Sequence, residues 1–508
     1  MRDLFVRDRG RILPWLVAAA SLGIGLAIVR PYSDVPVSFD TQSTVAYFDR
    51  LVRGQHLEQA LSTTPKPLLT LVEGGLHALT GDWRPIVWLT LLIQAAAAGL
   101  ATSLAGRAVG WAAGVAAGLA VAGTPLLIED AAFGNAVPWA LLGWLMAAAL
   151  LFAPRPRPAV AGFILALAAL CRLETLVIVG VVGLALAWLR FGPWLLPGPR
   201  PVLPSRIWLA VALPFAALPV MLLHDWLLTG DAFFWVKVSR AYSDAIRDRG
   251  ATVLGPIERV AWFARRYIQL WPATFLALVG FVGLVRANRW GLLAGLIAVG
   301  PGIAAFIVLL AARGLYAPER YALPVDLALF LSAAFGFGWL IDIAVPRAAA
   351  RFGVSSMTVA AAALGFTIAG IALLRLGPFD PRLNAVVTDL RTLNENEARV
   401  AQKLGLSADV LPGGVGWVVP TAVRPRFAVD LGLPLTSVAG LSTGWLDPRT
   451  TPLEAGQFVY HDTQGDLPRG LYAAVETNGP VHIRDVTLEP VLIDPGRGIW
   501  LYLATPAP

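Results

Sequence analysis

Long apolar runs recur along this chain, and they constrain its fold more than any other feature. Each run is about 17 to 25 residues long, the length that crosses a bilayer core as an α-helix. Hydrophobic residues make up 57% of the 508 residues and charged residues only 14%, which is too little charge to cover a soluble globule of this size. The sequence therefore predicts a polytopic α-helical membrane protein.

We expect about eleven transmembrane helices. Arginine is present in the short connections that this assignment places inside, such as "GRA", "PRPRP" and "RANR". The positive-inside rule then predicts a cytoplasmic N-terminus and, after an odd number of spans, an outer C-terminus. The predicted spans lie at 12–30, 84–106, 108–128, 135–153, 158–171, 174–190, 206–224, 270–286, 290–312, 321–345 and 356–376.

The chain divides by composition near residue 376. Residues 1–376 hold the predicted spans and two long outer loops, 31–83 and 225–269, both with helical stretches. Residues 377–508 combine an amphipathic helical segment with short strand-like runs such as "GWVVP", "RFAVD", "QFVYH", "GLYAAVE" and "IWLYLA", separated by Gly, Pro and Asp. We expect this second part to be an extracytoplasmic soluble α/β domain.

The first outer loop opens with "SFDTQSTVAYFDRLVRGQ". Val45, Phe48, Leu51 and Val52 recur at three and four residues, which predicts a helix lying with its apolar side on the membrane surface. Asp40 stands at its start. An aspartate there either caps the helix or, facing a solvated cavity, serves as a general base.

Two charges interrupt a long apolar stretch at "ALCRLETL". Because a charge at the bilayer midplane is expensive, Arg172 and Glu174 favour a hairpin of two short helices over one tilted helix. The pair is either a structural ion pair or part of a binding site in an outer cavity.

Other polar candidates also lie at predicted outer span ends, and each has a structural alternative. These candidates and alternatives are Lys66 in "TPKP" (snorkelling), Glu129 and Asp130 in "EDAAFGN" (a solvated turn), His224 beside Asp225 (cavity lining) and Arg320 in "PERYALP" (interfacial anchoring). Carboxylates and cations in one outer cavity suit a reaction in which a membrane-anchored phosphate departs and a hydroxyl attacks.

Several function classes are disfavoured. The sequence shows no glycine-rich phosphate loop, zinc-type spacing or nucleophile elbow. Its net charge of +7 comes from arginines scattered over loops, which does not indicate a nucleic-acid partner.

The order of these stretches resembles the GT-C superfamily of membrane glycosyltransferases, which includes protein mannosyltransferases and mycobacterial-type arabinosyl- and mannosyltransferases. The resemblance rests on "SFDTQSTVAYFDRLVRGQ", "TTPKPLLTLVEGGLHALTG", "EDAAFGN", "LALAALCRLETLVIVG", "HDWLLTGDAFF" and "RYALP", and covers residues 10–345. It implies inverting transfer of a sugar from a polyprenyl-phosphate donor to a glycan, lipid or protein acceptor outside the cytoplasmic membrane.

The resemblance also implies roles for individual residues. The family's candidate base in the first outer loop corresponds to Asp40; many members have two adjacent acids there, whereas this chain has Thr41 next. The second-loop acids, Glu129 and Asp130, would assist the acceptor or a divalent metal, Mg or Mn, although metal use varies across the superfamily. Candidates for binding the donor phosphate or the substrate are Lys66, Arg172, Glu174, His224 and Arg320.

Two other functions remain open. A transporter or flippase of lipid-linked sugars would need a polar path that continues to the cytoplasmic face, and the sequence offers few inner acids for one. A non-catalytic scaffold of the same fold in envelope assembly would agree with the single acid at Asp40.

Overall fold

The computed structural model gives side chains for most of the helical part of the chain and for part of the C-terminal region. The described residues are 2–30, 37–54, 64–192, 203–204, 206–240, 254–313, 319–352, 392, 395–396, 399–400, 417–419, 438–440, 455–462, 478–483 and 486–507.

Helices occupy every predicted span that falls on described residues, and the predicted span 356–376 lies outside them. In chain order the helices are α1 (Arg2–Val29), α2 (Phe39–Arg53), α3 (Pro67–Thr80), α4 (Arg84–Ala108), α5 (Trp111–Gly123), α6 (Pro125–Ala132), α7 (Val137–Leu151), α8 (Pro158–Cys171), α9 (Glu174–Phe191), α10 (Leu209–Ala212), α11 (Ala217–Thr229), α12 (Pro256–Gln269), α13 (Trp271–Arg286), α14 (Trp290–Ala312) and α15 (Leu323–Phe352). Two 3₁₀ segments, Leu213–Ala216 and Glu319–Ala322, join neighbouring helices.

Six helical stretches within the described ranges are long and apolar enough to cross a bilayer. The six are Ile12–Val29, Arg84–Ala108, Glu174–Phe191, Leu209–Thr229, Trp290–Ala312 and Leu323–Ile343. The helices α12 and α13 meet at 89° and make a seventh if they count as one span, while α5, α7 and α8 are apolar but shorter. The chain is thus a polytopic helical membrane protein, and the number of eleven spans stays a prediction.

One predicted span is broken. The sequence favoured a continuous helix over 108–128, but α5 ends at Gly123 and α6 begins at Pro125. Proline fits the first position of a helix because its missing N–H would have no partner there, and it therefore starts a new helix after Thr124. The acids Glu129 and Asp130 consequently lie on α6 and not in a turn, which corrects the predicted alternative for "EDAAFGN".

Small residues allow two membrane helices to approach closely. A Cβ added to Gly336 of α15 would lie 1.9 Å from the main-chain oxygen of Leu276 on α13, and one added to Gly280 would lie 2.1 Å from that of Ser332. Helices in lipid gain packing contacts rather than a hydrophobic driving force, and so small residues are common where their backbones meet. Glycine is therefore required at this crossing.

The C-terminal region contains a six-stranded mixed sheet in the order β2-β1-β3-β6-β5-β4. Its strands are β1 (Trp417–Val419), β2 (Val438–Gly440), β3 (Phe458–Asp462), β4 (Val481–Ile483), β5 (Val486–Asp494) and β6 (Ile499–Pro506). Strand β1 pairs in parallel with β2 and β3, and the other pairs are antiparallel. Apolar side chains including Leu488 and Tyr502 form the core of this sheet.

Three of the strand-like runs in the sequence are strands, namely "GWVVP", "QFVYH" and "IWLYLA". The runs "RFAVD" and "GLYAAVE" lie outside the described residues, and β2, β4 and β5 were not expected. Of the predicted amphipathic segment, residues 392, 395–396 and 399–400 are helical.

The chain forms two compact units. The first unit contains residues 1–30, 87–220 and 252–380. The second unit contains residues 31–86, 221–251 and 381–508, so parts of both predicted outer loops group with the C-terminal region.

Candidate functional site

In the second unit, the residue that caps the start of α2 is Ser38 and not Asp40. The helix cap is Ser38, whose hydroxyl accepts a hydrogen bond from the Thr41 main-chain N–H at 3.2 Å. Asp40 occupies the first turn, where a negative charge interacts favourably with the helix dipole. The predicted capping role of Asp40 is therefore wrong, because Ser38 fills that position.

Lys66 is the partner of Asp40. It immediately precedes α3, which starts at Pro67, and its Nζ lies 3.1 Å from Asp40 Oδ2. The Lys66 side chain is 8% exposed and that of Asp40 is 27% exposed. Because a buried ammonium needs a paired charge, this contact is what allows Lys66 to be buried, and it replaces the snorkelling alternative.

Close packing of α2 on α3 holds the pair together. A Cβ added to Gly74 would lie only 2.1 Å from the Cβ of Phe48, so no larger residue fits at this crossing. At its other end α2 stops at Gly54, which adopts a left-handed conformation with φ 61°. The packing of the two helices thus brings the carboxylate of Asp40 and the ammonium of Lys66 together from separate segments of the chain.

A second carboxyl group, Glu73, lies at this helix pair and was not expected from the sequence. It is 1% exposed, and its Oε2 lies 2.5 Å from the Thr44 hydroxyl. Burial raises the pKa of Glu73 to about 8, against the opposing effects of the Thr44 hydrogen bond and the Lys66 charge. One signal could have revealed it: Lys66, Thr70 and Glu73 are spaced four and three apart and share a helix face.

His224 joins the same cluster from α11. Its Nε2 lies 3.3 Å from the Thr70 hydroxyl, and its ring meets Tyr47 edge-on with 5.9 Å between centroids. Its Nδ1 lies 3.5 Å from Asp225 Oδ1, and Asp225 Oδ2 accepts the Trp235 main-chain N–H at 2.8 Å. Although neighbours on a helix, the two side chains reach each other, and His224 links α11 to α2 and α3.

In the first unit, Arg172 and Glu174 form the predicted hairpin. Helix α8 ends at Cys171, α9 starts at Glu174, and Arg172 Nη2 donates to Glu174 Oε1 at 2.8 Å. Both side chains are mostly buried. The predicted turn between two short helices is confirmed, and the opposite charges of Arg172 and Glu174 are paired with each other at this turn.

The second-loop acids lie near the end of α6. Asp130 is buried, and its Oδ1 accepts a hydrogen bond from Asn135 Nδ2 at 2.7 Å, while Glu129 is half-buried. Across the parts of the chain that the structure describes, no three His, Cys, Asp or Glu side chains are grouped as a metal site would require. The divalent metal stays a prediction.

Arg320 lies in the 3₁₀ segment Glu319–Ala322, and its side chain is outside the described part of the structure. A nearby ion pair was not expected: Arg266 donates from Nε and Nη2 to the two oxygens of Asp326 at 3.2 and 2.7 Å. This bidentate contact fastens α12 to the start of α15.

The arrangement therefore consists of two separately described sets of residues. Asp40, Lys66 and His224 come together in the second unit, joined by Glu73. Arg172 with Glu174, and Glu129 with Asp130, belong to the first unit. A carboxylate beside a buried ammonium can accept a proton from a hydroxyl and steady an anionic group in one place.

No protein-family model and no curated protein matches the sequence. Solved structures do match. ArnT from Cupriavidus metallidurans in the apo state is 14% identical, with 98% of each chain covered and a TM-score of 0.51. The same protein bound to undecaprenyl phosphate is 15% identical, with 97% of this chain and 98% of that chain covered and a TM-score of 0.50.

The Archaeoglobus fulgidus oligosaccharyltransferase in the apo form is 10% identical, with 84% of this chain covered and a TM-score of 0.49. This chain spans 64% of the length of that protein. The match to ArnT extends over nearly the whole of both chains, from the first helix to the C-terminal sheet. The chain therefore has the fold of the ArnT structures.

Proposed function

We propose that this protein is a membrane glycosyltransferase that moves a sugar from a polyprenyl-phosphate donor to an acceptor outside the cytoplasmic membrane. The observation that carries the proposal is the Asp40 carboxylate 3.1 Å from the buried Lys66 ammonium. Transfer from a lipid phosphate needs a base for the acceptor and a cation for the leaving group, and this pair supplies both.

The reaction would proceed by inversion at the anomeric carbon. Asp40 takes the proton of the acceptor hydroxyl while the hydroxyl oxygen attacks that carbon from the face opposite the lipid phosphate. The bond between the anomeric carbon and the phosphate oxygen breaks, and its electron pair stays on the departing polyprenyl phosphate. The Lys66 ammonium offsets the charge that develops on this phosphate.

The similarity to ArnT supports a lipid-phosphate ligand. One ArnT structure contains undecaprenyl phosphate, and its chain matches this one over nearly its whole length. A polyprenyl phosphate has a single anionic head on an apolar tail. That chemistry suits a buried ammonium on a helix pair in a membrane protein.

Other predicted residues keep supporting roles in this proposal. Arg172 and Arg320 are further donor-phosphate ligands, with Glu174 orienting Arg172, and His224 holds the helix pair in place. Glu129 and Asp130 bind the acceptor, or a divalent metal if one takes part. The acceptor is a glycan, lipid or protein, and we infer from the predicted topology that the C-terminal domain lies on the outer side of the membrane.

The decisive experiment is turnover of polyprenyl-phosphate sugars by the purified protein in lipid nanodiscs. Asp40→Asn keeps the side-chain shape but cannot take a proton, and we expect it to lower the rate by about a hundredfold or more. Asp49→Asn is the matched control. Asp49 lies on the same helix in an exposed pair with Arg53, and we expect its rate to stay within about twofold of the wild type.

An unchanged rate in Asp40→Asn would remove Asp40 as the base. One observation favours the scaffold alternative: the Asp40 carboxylate is already paired with Lys66, and such a pair can serve only to hold α2 to α3. A scaffold would show no turnover of any polyprenyl-phosphate sugar, and Asp40→Asn would then lower thermal stability alone.

A further inference from the structure

The hydrogen-bond geometry around Thr44 bears on the protonation of Glu73. The Thr44 hydroxyl oxygen lies 2.7 Å from the main-chain oxygen of Thr41 and 2.5 Å from Glu73 Oε2. A hydroxyl has one hydrogen to donate, whereas an ionised carboxylate only accepts. If Glu73 is protonated, it donates to Thr44, which donates to Thr41, and both short contacts are satisfied.

The other carboxyl oxygen leads to the same conclusion. Glu73 Oε1 is buried and has no hydrogen-bond partner among the described residues. An anionic oxygen without a partner is far more costly to bury than the carbonyl oxygen of a neutral acid. The neutral form therefore fits this cavity, in agreement with a pKa raised by burial to about 8.

The charged and titratable groups around Glu73 come from α2, from the residue before α3, and from α11. Asp40 of α2 disfavours its ionisation and Lys66, which precedes α3, favours it. From α11, His224 contacts Thr70, one turn before Glu73 on α3, and His224 in turn contacts Asp225. The Lys66 ammonium thus interacts electrostatically with two carboxyl groups, those of Asp40 and Glu73.

We propose that Glu73 is a positioning residue that controls the availability of Lys66 to an anionic ligand. As a neutral acid, Glu73 holds Thr44 and leaves the ammonium to Asp40 and the ligand. As an anion, it competes for that ammonium, and ligand binding weakens. This role deepens the proposed glycosyl transfer and rests on it for the identity of the ligand, a polyprenyl phosphate.

The first measurement is ligand affinity against pH for the full-length protein in nanodiscs, with undecaprenyl phosphate and inorganic phosphate as separate probes. Undecaprenyl phosphate is a phosphate monoester, which loses its second proton near a pKa of about 6, so its charge is nearly constant from about pH 7 to about pH 9. Inorganic phosphate still titrates within this range, so its affinity for the wild type is compared with its affinity for Glu73→Gln at each pH. We expect wild-type affinity to fall about fivefold or more across this range. Glu73→Gln should show no such fall, while the control Asp49→Asn should follow the wild type.

The second measurement is thermal stability against pH, which does not depend on any ligand. Glu73 has its pKa raised from 4.5 to about 8 in the folded protein, so folding holds a proton that the unfolded chain releases. Wild-type stability is therefore lost as the pH rises from 4.5 to about 8, and the melting-temperature advantage of Glu73→Gln grows over that interval and then levels off. In a Lys66→Gln background the growth should continue to higher pH, because the charge that lowers the Glu73 pKa is gone.

The results separate this inference from the proposed function. Binding of inorganic phosphate with the expected pH dependence, but no binding of undecaprenyl phosphate, refutes the donor and retains the role of Glu73. Affinity that falls equally in wild type and Glu73→Gln overturns that role, as does the absence of binding of either probe. A melting-temperature difference that stays constant with pH also overturns it, because Glu73 would then not change its charge.

Discussion

The two ion pairs of this protein differ in how they are assembled. Arg172 and Glu174 are near neighbours at the turn between α8 and α9, and their 2.8 Å contact can form in any hairpin with this sequence. Asp40 and Lys66 stand on different segments and meet only when α2 packs on α3. The Asp40–Lys66 contact therefore depends on the packing of two helices, whereas the Arg172–Glu174 contact depends only on the local turn.

Their surroundings differ as well. Near Asp40 and Lys66 lies a second carboxyl group, that of the buried Glu73, which forms a hydrogen bond with Thr44. The hairpin pair is followed by Thr175, whose hydroxyl accepts a hydrogen bond from Trp144 Nε1 at 3.0 Å and ties α9 to α7. Asp40 and Lys66 therefore interact electrostatically with a third titratable group, whereas Arg172 and Glu174 lie beside a hydrogen bond that joins two helices.

The largest effect among the following variants is expected at Lys66. Lys66→Gln removes the buried ammonium and leaves Asp40 without this partner, and removing one member of a desolvated charge pair costs about 2 kcal/mol or more. We expect kcat/KM for the lipid-phosphate sugar to fall by about thirtyfold or more. The control is Lys237→Gln, which removes an exposed lysine paired with Asp231 in the same unit. Equal activity of the two variants would show that Lys66 has no special role.

The next effect concerns the helix crossing that brings Asp40 to Lys66. Gly74→Ala places a methyl group against Phe48, and overpacking of this kind destabilises by about 1–3 kcal/mol. Gly75→Ala is the matched control, since its added Cβ meets nothing closer than 4.0 Å and alanine is the better helix former. Thermal unfolding should rank Gly74→Ala below the wild type and Gly75→Ala at or above it. The reverse order would contradict the close packing of α2 and α3.

The smallest effect is expected at the hairpin pair. If Arg172 contacts the donor phosphate, Arg172→Gln raises the KM for the donor by about tenfold, the effect of about 1.4 kcal/mol. Glu174→Gln keeps the guanidinium and should change KM by less than about threefold. Equal effects of the two substitutions on KM would mean that the pair only stabilises the turn.

Much of the fold could be predicted from the sequence because the bilayer core restricts the length and polarity of the helices that cross it. A spanning helix must be long and apolar, and charges must turn away from the midplane, which is why the hairpin at Arg172 and Glu174 was foreseen. The break at Thr124 was missed because the apolar residues of α5 are followed by more apolar residues up to Ile128, and only Pro125 indicated a new helix.

The candidate site could be predicted only in part. Asp40 and Lys66 stood out as charges in an outer loop, but their contact depends on a crossing that no local pattern encodes. Glu73 was overlooked because an acid among apolar residues on a short helix normally faces water. Its burial follows from the packing of α2 on α3, and hence from Phe48 and Gly74.

The right-angle corner between α12 and α13 has a mechanical consequence. Two helices that meet at 89° cannot both stand along the membrane normal, so if α13 is upright, α12 lies in the plane of the headgroups. Trp271 marks the corner and is 67% exposed, a suitable anchor at the depth where acyl chains give way to water. Thinning or thickening of the bilayer would therefore displace α12. Through the contact between Arg266 and Asp326, it would also displace the start of α15.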